Sequence, residues 1–451
     1  MADNHENSND SIEDDISLSD TNAAPSLELD FVSQRSTTMG NASSHESDED
    51  CNTKKEITFN RSIPANHSYL GNDLEELASG QNVFEPDSIV ENVPLLPVPS
   101  FVLMPNQILP LNNFHPRLIS MFRTIISTAK CFGVIHVDLN EEYYDADENE
   151  ILANVGTVGQ VLAYKEETEH ELTLMKMRVV GRQRFKILEI RHQDSILVSK
   201  IKILPDIEMK NFLDSIEPTS SVHYKLKASK NYNVSRRICL ASVQPPPFVH
   251  TLYDTKDVIH RLCIELTKWY DEKLINEMRT NPTAFSFWVA ANLPVQESTK
   301  LTLLSYNCDL QRLKRELQLI QQCTAFVCRC GAPIGRSSYI FSMSIMGPLG
   351  VYVNPHGSLH ELLTLSRLIN SKCVTYRGRP QTEYSWFPGY AWTIVECTRC
   401  KGHLGWHFTL ERNFNFEPKQ FWGLTRRSIK PVLHGEEMID EQELHYIQNE
   451  V

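Results

Sequence analysis

No run of 18 apolar residues occurs in this 451-residue sequence, so a helix of bilayer length is excluded. The first residues, MADNHENSNDSIEDD, lack the basic start and apolar core of a secretory signal. A soluble, intracellular protein without a membrane partner is expected. A phosphate loop of the form G-x-x-x-x-G-K-[ST] is missing as well, so no backbone cradle and lysine hold a nucleotide. Basic charge is scarce at the start of the chain. The net charge is -13, but 13 acids and a single base, Arg35, fall in residues 1–50, which leaves 44 acids against 43 bases elsewhere. That near-neutral remainder has no broad basic footprint, and no nucleic-acid partner is expected.

What is present is enough apolar material for real cores: 41% hydrophobic and 9% aromatic residues. A chain of this length implies two to three domains of about 150 residues each. Residues 1–85 are rich in Ser, Asp, Asn and Glu and read as a disordered acidic tail. Within it, Ser11 and Ser47 precede acidic residues in a pattern that acidophilic kinases favour.

From 90 to 204 the texture changes to short β-rich runs, PLLPVPSFVLMP, FGVIHVDL, VGTVGQVLAY, LTLMKMRVVG and RFKILEI, which predict a small, mostly antiparallel sheet or barrel. One amphipathic helix interrupts them, with Leu118, Met121, Phe122, Ile125 and Ile126 on one face. The segment Gly181-Arg182-Gln183-Arg184-Phe185 reads as a turn between two strands with solvated arginines.

Residues 205–322 predict a helical bundle beyond a Gln244-Pro-Pro-Pro247 break. Asp254 is placed to cap a helix whose inner face is Val258, Ile259, Leu262, Cys263, Leu266 and Trp269. Asn281-Pro282 opens another helix, and Leu310, Leu313, Leu317 and Ile320 line a third.

Chemistry concentrates in 323–431. Eleven cysteines are an odd number, and four of them fall as Cys328/Cys330 and Cys397/Cys400, which reads as metal binding more readily than as disulfides. Cys397-Thr-Arg-Cys400 brings two thiolates to one ion, and a structural tetrahedral zinc needs four. The upstream pair is C-x-C, tighter than the usual knuckle, and Cys323 lies near enough to substitute. Four buried free thiols are the alternative. Between and after the pairs stand Trp386, Trp392 and Trp406, half of the six tryptophans in the chain. Three such faces form either a hydrophobic core or a cage for a small apolar or cationic group.

Two resemblances sharpen these readings. PLLPVPSFVLMPNQILPLNNFHPR, VGTVGQV and GRQRFKILEI look like the amino-terminal domain of Lon proteases, without the enzyme's phosphate loop. VNPHG at 353–357, EYSWFPGYAW at 383–392, LGW at 404–406 and FWGLTR at 421–426 resemble the thalidomide-binding (CULT) domain of the cereblon family. The whole resemblance runs from PANHSYLG at 64 to residue 431.

It implies an α+β multidomain protein: a mostly β Lon-like domain (90–204), a helical bundle (205–322) and an all-β, zinc-tethered, two-sheet β-tent domain (323–431). Residues 432–451 form a carboxy-terminal tail outside the resemblance, for which a short helix is expected. It further implies a tri-tryptophan pocket of Trp386, Trp392 and Trp406, with Phe408 behind and Asn354 and Pro355 at the rim. Backbone groups near Tyr384 and Trp386 would meet a glutarimide-type ring, and the family usually has His where Tyr384 stands.

One structural Zn2+ on Cys328, Cys330, Cys397 and Cys400 is implied too. So is the role of a non-catalytic substrate receptor, docked by its helices on the β-propeller DNA-damage-binding adaptor of a cullin-RING ubiquitin ligase, in nucleus and cytoplasm. A competing expectation is a redox enzyme of the methionine sulfoxide reductase type, for which Cys373 is the candidate nucleophile.

Overall fold

The computed structural model describes residues 57–433 except 72, 78–83, 129, 138–152, 170–171, 194–195, 209–252 and 271. Ser11 and Ser47, the Gln244–Pro247 break and the segment 434–451 lie outside the described residues. The chain divides into two units, Met1–Lys54 and Lys55–Val451, and the described residues belong to the second.

Residues 57–71, read above as part of the tail, contain a short helix α1 (Ser62–Ala65) and bury Phe59, Ala65 and Leu70. Their few aromatics suffice because they lie on rings of the C-terminal region: Phe59 meets Tyr390 at 5.5 Å and Phe416 at 5.8 Å. A low average hydrophobicity hid a segment that buries Phe59, Ala65 and Leu70.

Next comes a seven-stranded sheet of β1 (Glu75–Glu76), β2 (Ile89–Pro99), β3 (Ile108–Asn113), β4 (Cys131–Val137), β5 (Val155–Glu169), β6 (Leu172–Gln193) and β7 (Ile196–Ile203). The order is β1-β5-β4-β2-β7-β6-β3, and β5 also pairs β6, so five strands close on themselves and leave no open edge among them. Pairing is antiparallel except between β2 and β4. Helix α2 (Pro116–Ser127) lays Ile119, Met121, Phe122 and Ile125 into the core, with Phe122 edge-on to Phe132 at 5.4 Å.

The reading of residues 181–185 as a turn with solvated arginines is corrected. They lie inside β6, one bent strand that pairs β3 and β5 in its first half and β5 and β7 in its second. Gly181 is required there because a Cβ would stand 2.3 Å from the Met104 carbonyl oxygen. Arg184 is fully buried. Its guanidinium donates to the carbonyls of Leu304 (2.8 Å), Tyr306 (2.9 Å) and Pro205 (2.8 Å) and to Asp206 (2.7 Å). Arg182 is half-buried and donates to Gln160 at 2.8 Å.

The helices follow: α3 (Thr255–Leu266), α4 (Glu272–Met278), α5 (Pro282–Asn292), α6 (Glu297–Ser305) and α7 (Asp309–Gln322). Asp254 caps α3 by accepting from the Lys256 amide at 3.0 Å, and Asn281 caps α5 by accepting from the Ala284 amide at 2.9 Å. The expected inner faces of α3 and α7 are buried. Helix α5 is buried over its whole run from Phe285 to Asn292, which marks it as the central helix of this region.

Two sheets complete the fold. Strands β10 (Leu349–Val353), β11 (Leu359–Leu365), β12 (Val374–Gln381), β13 (Tyr390–Cys397), β14 (His403–Leu410) and β15 (Gln420–Thr425) make a six-stranded sheet in the order β10-β11-β15-β14-β13-β12. Strands β8 (Cys323–Cys328), β9 (Pro333–Arg336) and β16 (Ile429–Leu433) make a three-stranded one.

A buried network of charges ties these sheets to the rest. Glu361 of β11 pairs with Lys300 of α6 and with Arg426 beyond β15, and Arg426 pairs with Glu297 of α6. Arg426 also donates to the Ser100 carbonyl after β2 at 3.1 Å and to the Val295 carbonyl at 3.3 Å. Two cations and two anions cancel, so no net charge is left in the low-dielectric interior. Removing one partner strands the others at a cost of about 3–5 kcal/mol.

Candidate functional site

The four cysteines come together. The thiols of Cys328, Cys330, Cys397 and Cys400 all lie within 4.8 Å of one another, and they are where the two C-terminal sheets meet. Cys328 ends β8 and Cys397 ends β13, so each sheet sends one strand into the cluster, and the turn beyond it returns the second thiol.

The C-x-C arm works because Cys328–Gly331 turns tightly: the Gly331 amide donates to the Cys328 carbonyl at 2.8 Å, and Gly331 has φ 87°. On the other arm, the Lys401 amide donates to the Cys397 carbonyl at 2.9 Å and the Gly402 amide to Cys400 Sγ at 3.4 Å. Cys323, the possible substitute, is buried at the start of β8 and is not in the cluster.

Sulfur separations of 3.6 Å (Cys328–Cys400) and 3.7 Å (Cys330–Cys397) are far beyond a disulfide bond of about 2.05 Å. They fit instead the edge of a tetrahedron of thiolates about 2.3 Å from a central ion, which is about 3.8 Å. Burial pushes the thiols of Cys328 and Cys397 up. At Cys330 burial is outweighed by the Ala332 amide and the neighbouring thiols, and the group comes down to about 7. The donor set can therefore hold a metal ion.

The aromatic group is assembled from three elements. In the β13–β14 register Trp392 faces Phe408 and Ile394 faces Trp406, so Trp392, Trp406 and Phe408 share one face of the sheet. Trp386 reaches that face from the loop before β13. Its ring stands edge-to-face with Trp406 at 5.0 Å and stacks on Tyr352 of β10 at 5.4 Å. Both indole donors near the loop are engaged: Trp386 Nε1 with the Val353 carbonyl at 3.0 Å, and Trp392 Nε1 with the Glu383 carbonyl at 2.9 Å. Each indole is thus locked in orientation as well as packed. Phe408 is fully buried beneath, between Phe387 and Phe421.

Tyr384 stands 67% exposed with φ 56°, a left-handed backbone that a non-glycine residue adopts at some cost in strain. Asn354 and Pro355 lie in the turn after β10, beside the end of that strand, and Asn354 Oδ1 accepts from the Ser358 amide at 2.8 Å.

His360 was not singled out by sequence reasoning, yet its ring meets Trp406 at 5.0 Å and Trp386 at 5.7 Å. Burial, with His403 adding to it, lowers its pKa to about 4, so it stays neutral at physiological pH. Tyr352 and Tyr69 were missed too: the Tyr69 hydroxyl accepts from the Val353 amide at 3.1 Å, behind the carbonyl that holds Trp386. Only strand alternation in VYVNPHGSLHE could have pointed to His360 and Tyr352, which face each other across β10 and β11.

Cys373 donates to the Asn370 carbonyl at 2.7 Å, and burial raises its pKa. A nucleophilic cysteine needs the opposite shift.

Residues 92–322 match the family described as the ATP-dependent protease La (LON) substrate-binding domain. Among solved structures, a Lon N-terminal domain protein from Xanthomonas campestris aligns over 51% of this chain and 98% of its own at 18% identity, with a TM-score of 0.29. The N-terminal domain of a Mycobacterium avium complex Lon protease aligns over the same shares at 13% identity and a TM-score of 0.33. Fold and site together define a Lon-type substrate-binding domain joined to a β domain with a four-cysteine clamp and an aromatic face.

Protein cereblon of Danio rerio is 37% identical over 414 residues, 88% of this chain and 93% of the relative. Protein cereblon of Gallus gallus is 38% identical over 394 residues, 83% of this chain and 85% of the relative. The chain belongs to the cereblon family. Among the described residues no helix is long and apolar enough to cross a membrane.

Proposed function

We propose that this protein is the non-catalytic substrate receptor of a cullin-RING ubiquitin ligase, which captures proteins ending in a cyclic imide, or surfaces created by a glutarimide-type small molecule. The observation that carries this reading is Trp386, locked by its bond to Val353 and edge-on to Trp406, on the face shared with Trp392 and Phe408. Rigid indole walls suit a flat, partly apolar ring, and backbone groups near Tyr384 and Trp386 can orient its N–H and carbonyls.

Within the 205–322 stretch expected to dock, the helices from α3 to α7 bind the β-propeller adaptor, and ubiquitin transfer depends on the proximity the assembly supplies. Family membership supports an adaptor-bound role, and the proposed location is nucleus and cytoplasm. The clamp holds one structural Zn2+, because all four of its donors are thiols. The ion joins the two sheets and takes no part in ligand binding.

Calorimetric titration of the full-length protein with glutarimide, with bound zinc quantified in the same sample, tests the reading. Saturable one-to-one heat is expected from the natural sequence and none from Trp406→Ala. Absence of heat from a folded sample carrying one zinc per chain would sink it.

A further inference from the structure

The four thiols of the clamp differ in access. Cys400 is exposed and Cys330 half-buried, whereas Cys328 and Cys397 are buried. Cys400 meets Cys328 at 3.6 Å, and Cys330 meets Cys397 at 3.7 Å. Each contact therefore joins a sulfur that solvent reaches to one that it does not. Each also crosses the junction, since Cys328 and Cys330 belong to the arm at the end of β8 and Cys397 and Cys400 to the arm at the end of β13.

An open sulfur with a second directly behind it is the arrangement that peroxide-sensitive thiols require: the first takes up the oxidant and the second resolves the product. Closing either contact to an S–S bond of about 2.05 Å asks for a movement of about 1.6 Å, within reach of rotation about the Cα–Cβ bonds. Pairing inside the C-x-C arm is opposed by the chain. It would close over Arg329 alone and distort the turn in which the Gly331 amide donates to the Cys328 carbonyl at 2.8 Å. Cys323 is buried outside the cluster, and the Cys373 thiol donates to the Asn370 carbonyl at 2.7 Å.

We propose that the clamp is a site of reversible oxidation by hydrogen peroxide, at which Cys328–Cys400 and Cys330–Cys397 disulfides replace the metal and keep the two sheets joined. This rests on the reading of the clamp as a zinc site and adds a metal-free way to hold the same junction. Hydrogen peroxide gives one oxygen to the accessible thiolate, which becomes a sulfenic acid as hydroxide leaves. The buried thiolate across the junction attacks that sulfur, the S–S bond forms and a second hydroxide leaves, so two thiolates supply the two electrons that reduce one peroxide. Sulfurs paired in this way no longer ligate, and the ion leaves as Zn2+. A small thiol reductant, attacking either bond, restores the cluster. The sheet that carries Trp386, Trp392 and Trp406 thus outlasts the loss of the metal.

The test treats the zinc-loaded, full-length protein with hydrogen peroxide, alkylates the remaining thiols and maps disulfides in an unreduced digest. The expected result is release of one zinc per chain in step with the loss of the four clamp thiols, and linked peptides that join Cys328 to Cys400 and Cys330 to Cys397. With a chelator present, the C-terminal calorimetric transition should persist in the oxidised sample and disappear after dithiothreitol. Cys373→Ser should change neither the map nor the release.

Any other pairing, Cys397–Cys400 or one through Cys373 included, would overturn the proposal, as would sulfinic acids without cross-links or loss of the C-terminal transition on oxidation. Absence of zinc from the untreated protein would remove the metal reading alone, because the disulfide map then still decides the pairing.

Discussion

The barrel at 89–203 and the paired sheets at 323–433 are both β structures, but they solve the problem of closure differently. In the barrel, β5 pairs both β4 and β6, so hydrogen bonds close the cylinder and apolar side chains fill it. The C-terminal sheets do not pair with each other, and they are joined where four thiols converge from the ends of β8 and β13. The first region is secured by its own backbone. The second packs one face of its large sheet against the small sheet and the helices, adds the thiol cluster at the junction, and leaves the other face to the indoles of Trp386, Trp392 and Trp406. Binding surface and structural economy conflict in a small sheet, and a four-thiol cluster able to hold a metal ion supplies a further tie at the junction.

The most severe way to test that contrast is to open the clamp. Chelation, or Cys397→Ser, should release about 10 kcal/mol of metal-linked folding free energy. In calorimetry the C-terminal transition and the near-ultraviolet tryptophan signal should vanish while the barrel transition persists. Loss of both transitions together would break the comparison.

Glu361→Ala acts on the junction instead. It strands Lys300 and Arg426 in the interior, so a loss of about 3–5 kcal/mol is expected in urea unfolding, spread over both regions. Arg184→Leu should cost about 2–3 kcal/mol, because buried carbonyls of Leu304, Tyr306 and Pro205 lose their donor. That cost should fall on the barrel and helices alone and leave glutarimide titration unchanged.

The most gradual effect is with pH. Burial holds His67 at about 3 and His360 at about 4, both below the ordinary value of about 6.5. Between those values the unfolded chain takes up protons that the folded one refuses. The neutral forms therefore contribute fully above about pH 6.5, and stability falls as pH drops toward the folded values, by at most about 1.4 kcal/mol per unit for each group. Urea midpoints from pH 7 to 4 should show this slope, reduced in His360→Asn and in His67→Gln. Both histidines touch Tyr352 or the indoles, so the decline should appear in the C-terminal region first.

Much of this contrast was readable along the chain, and the unreadable parts have a common cause. The helix caps at Asp254 and Asn281, the inner faces of α3 and α7, and the two cysteine pairs are short-range patterns, and they appear where spacing put them. The β6 segment was misread because Gly-Arg-Gln-Arg is ordinary turn composition, and nothing local reveals that Arg184 has carbonyl partners about 120 residues ahead. Residues 57–71 were assigned to a tail because composition averages over a window, whereas burial is decided by single side chains such as Phe59.

By itself the sequence determined which residue types could act: four thiols, three indoles and a glycine-bearing turn, together with the family they signal. Tertiary structure decided their working geometry. It brought Cys330 rather than Cys323 to the clamp, set Trp386 edge-on to Trp406, placed His360 against both, and laid the Asn354–Pro355 turn on Asn112. The physical reason is reach. Caps and strand alternation act within a few residues, where the backbone itself fixes the separation, while thiol clusters, buried charges and ring contacts join groups whose distance exists only after the chain has packed.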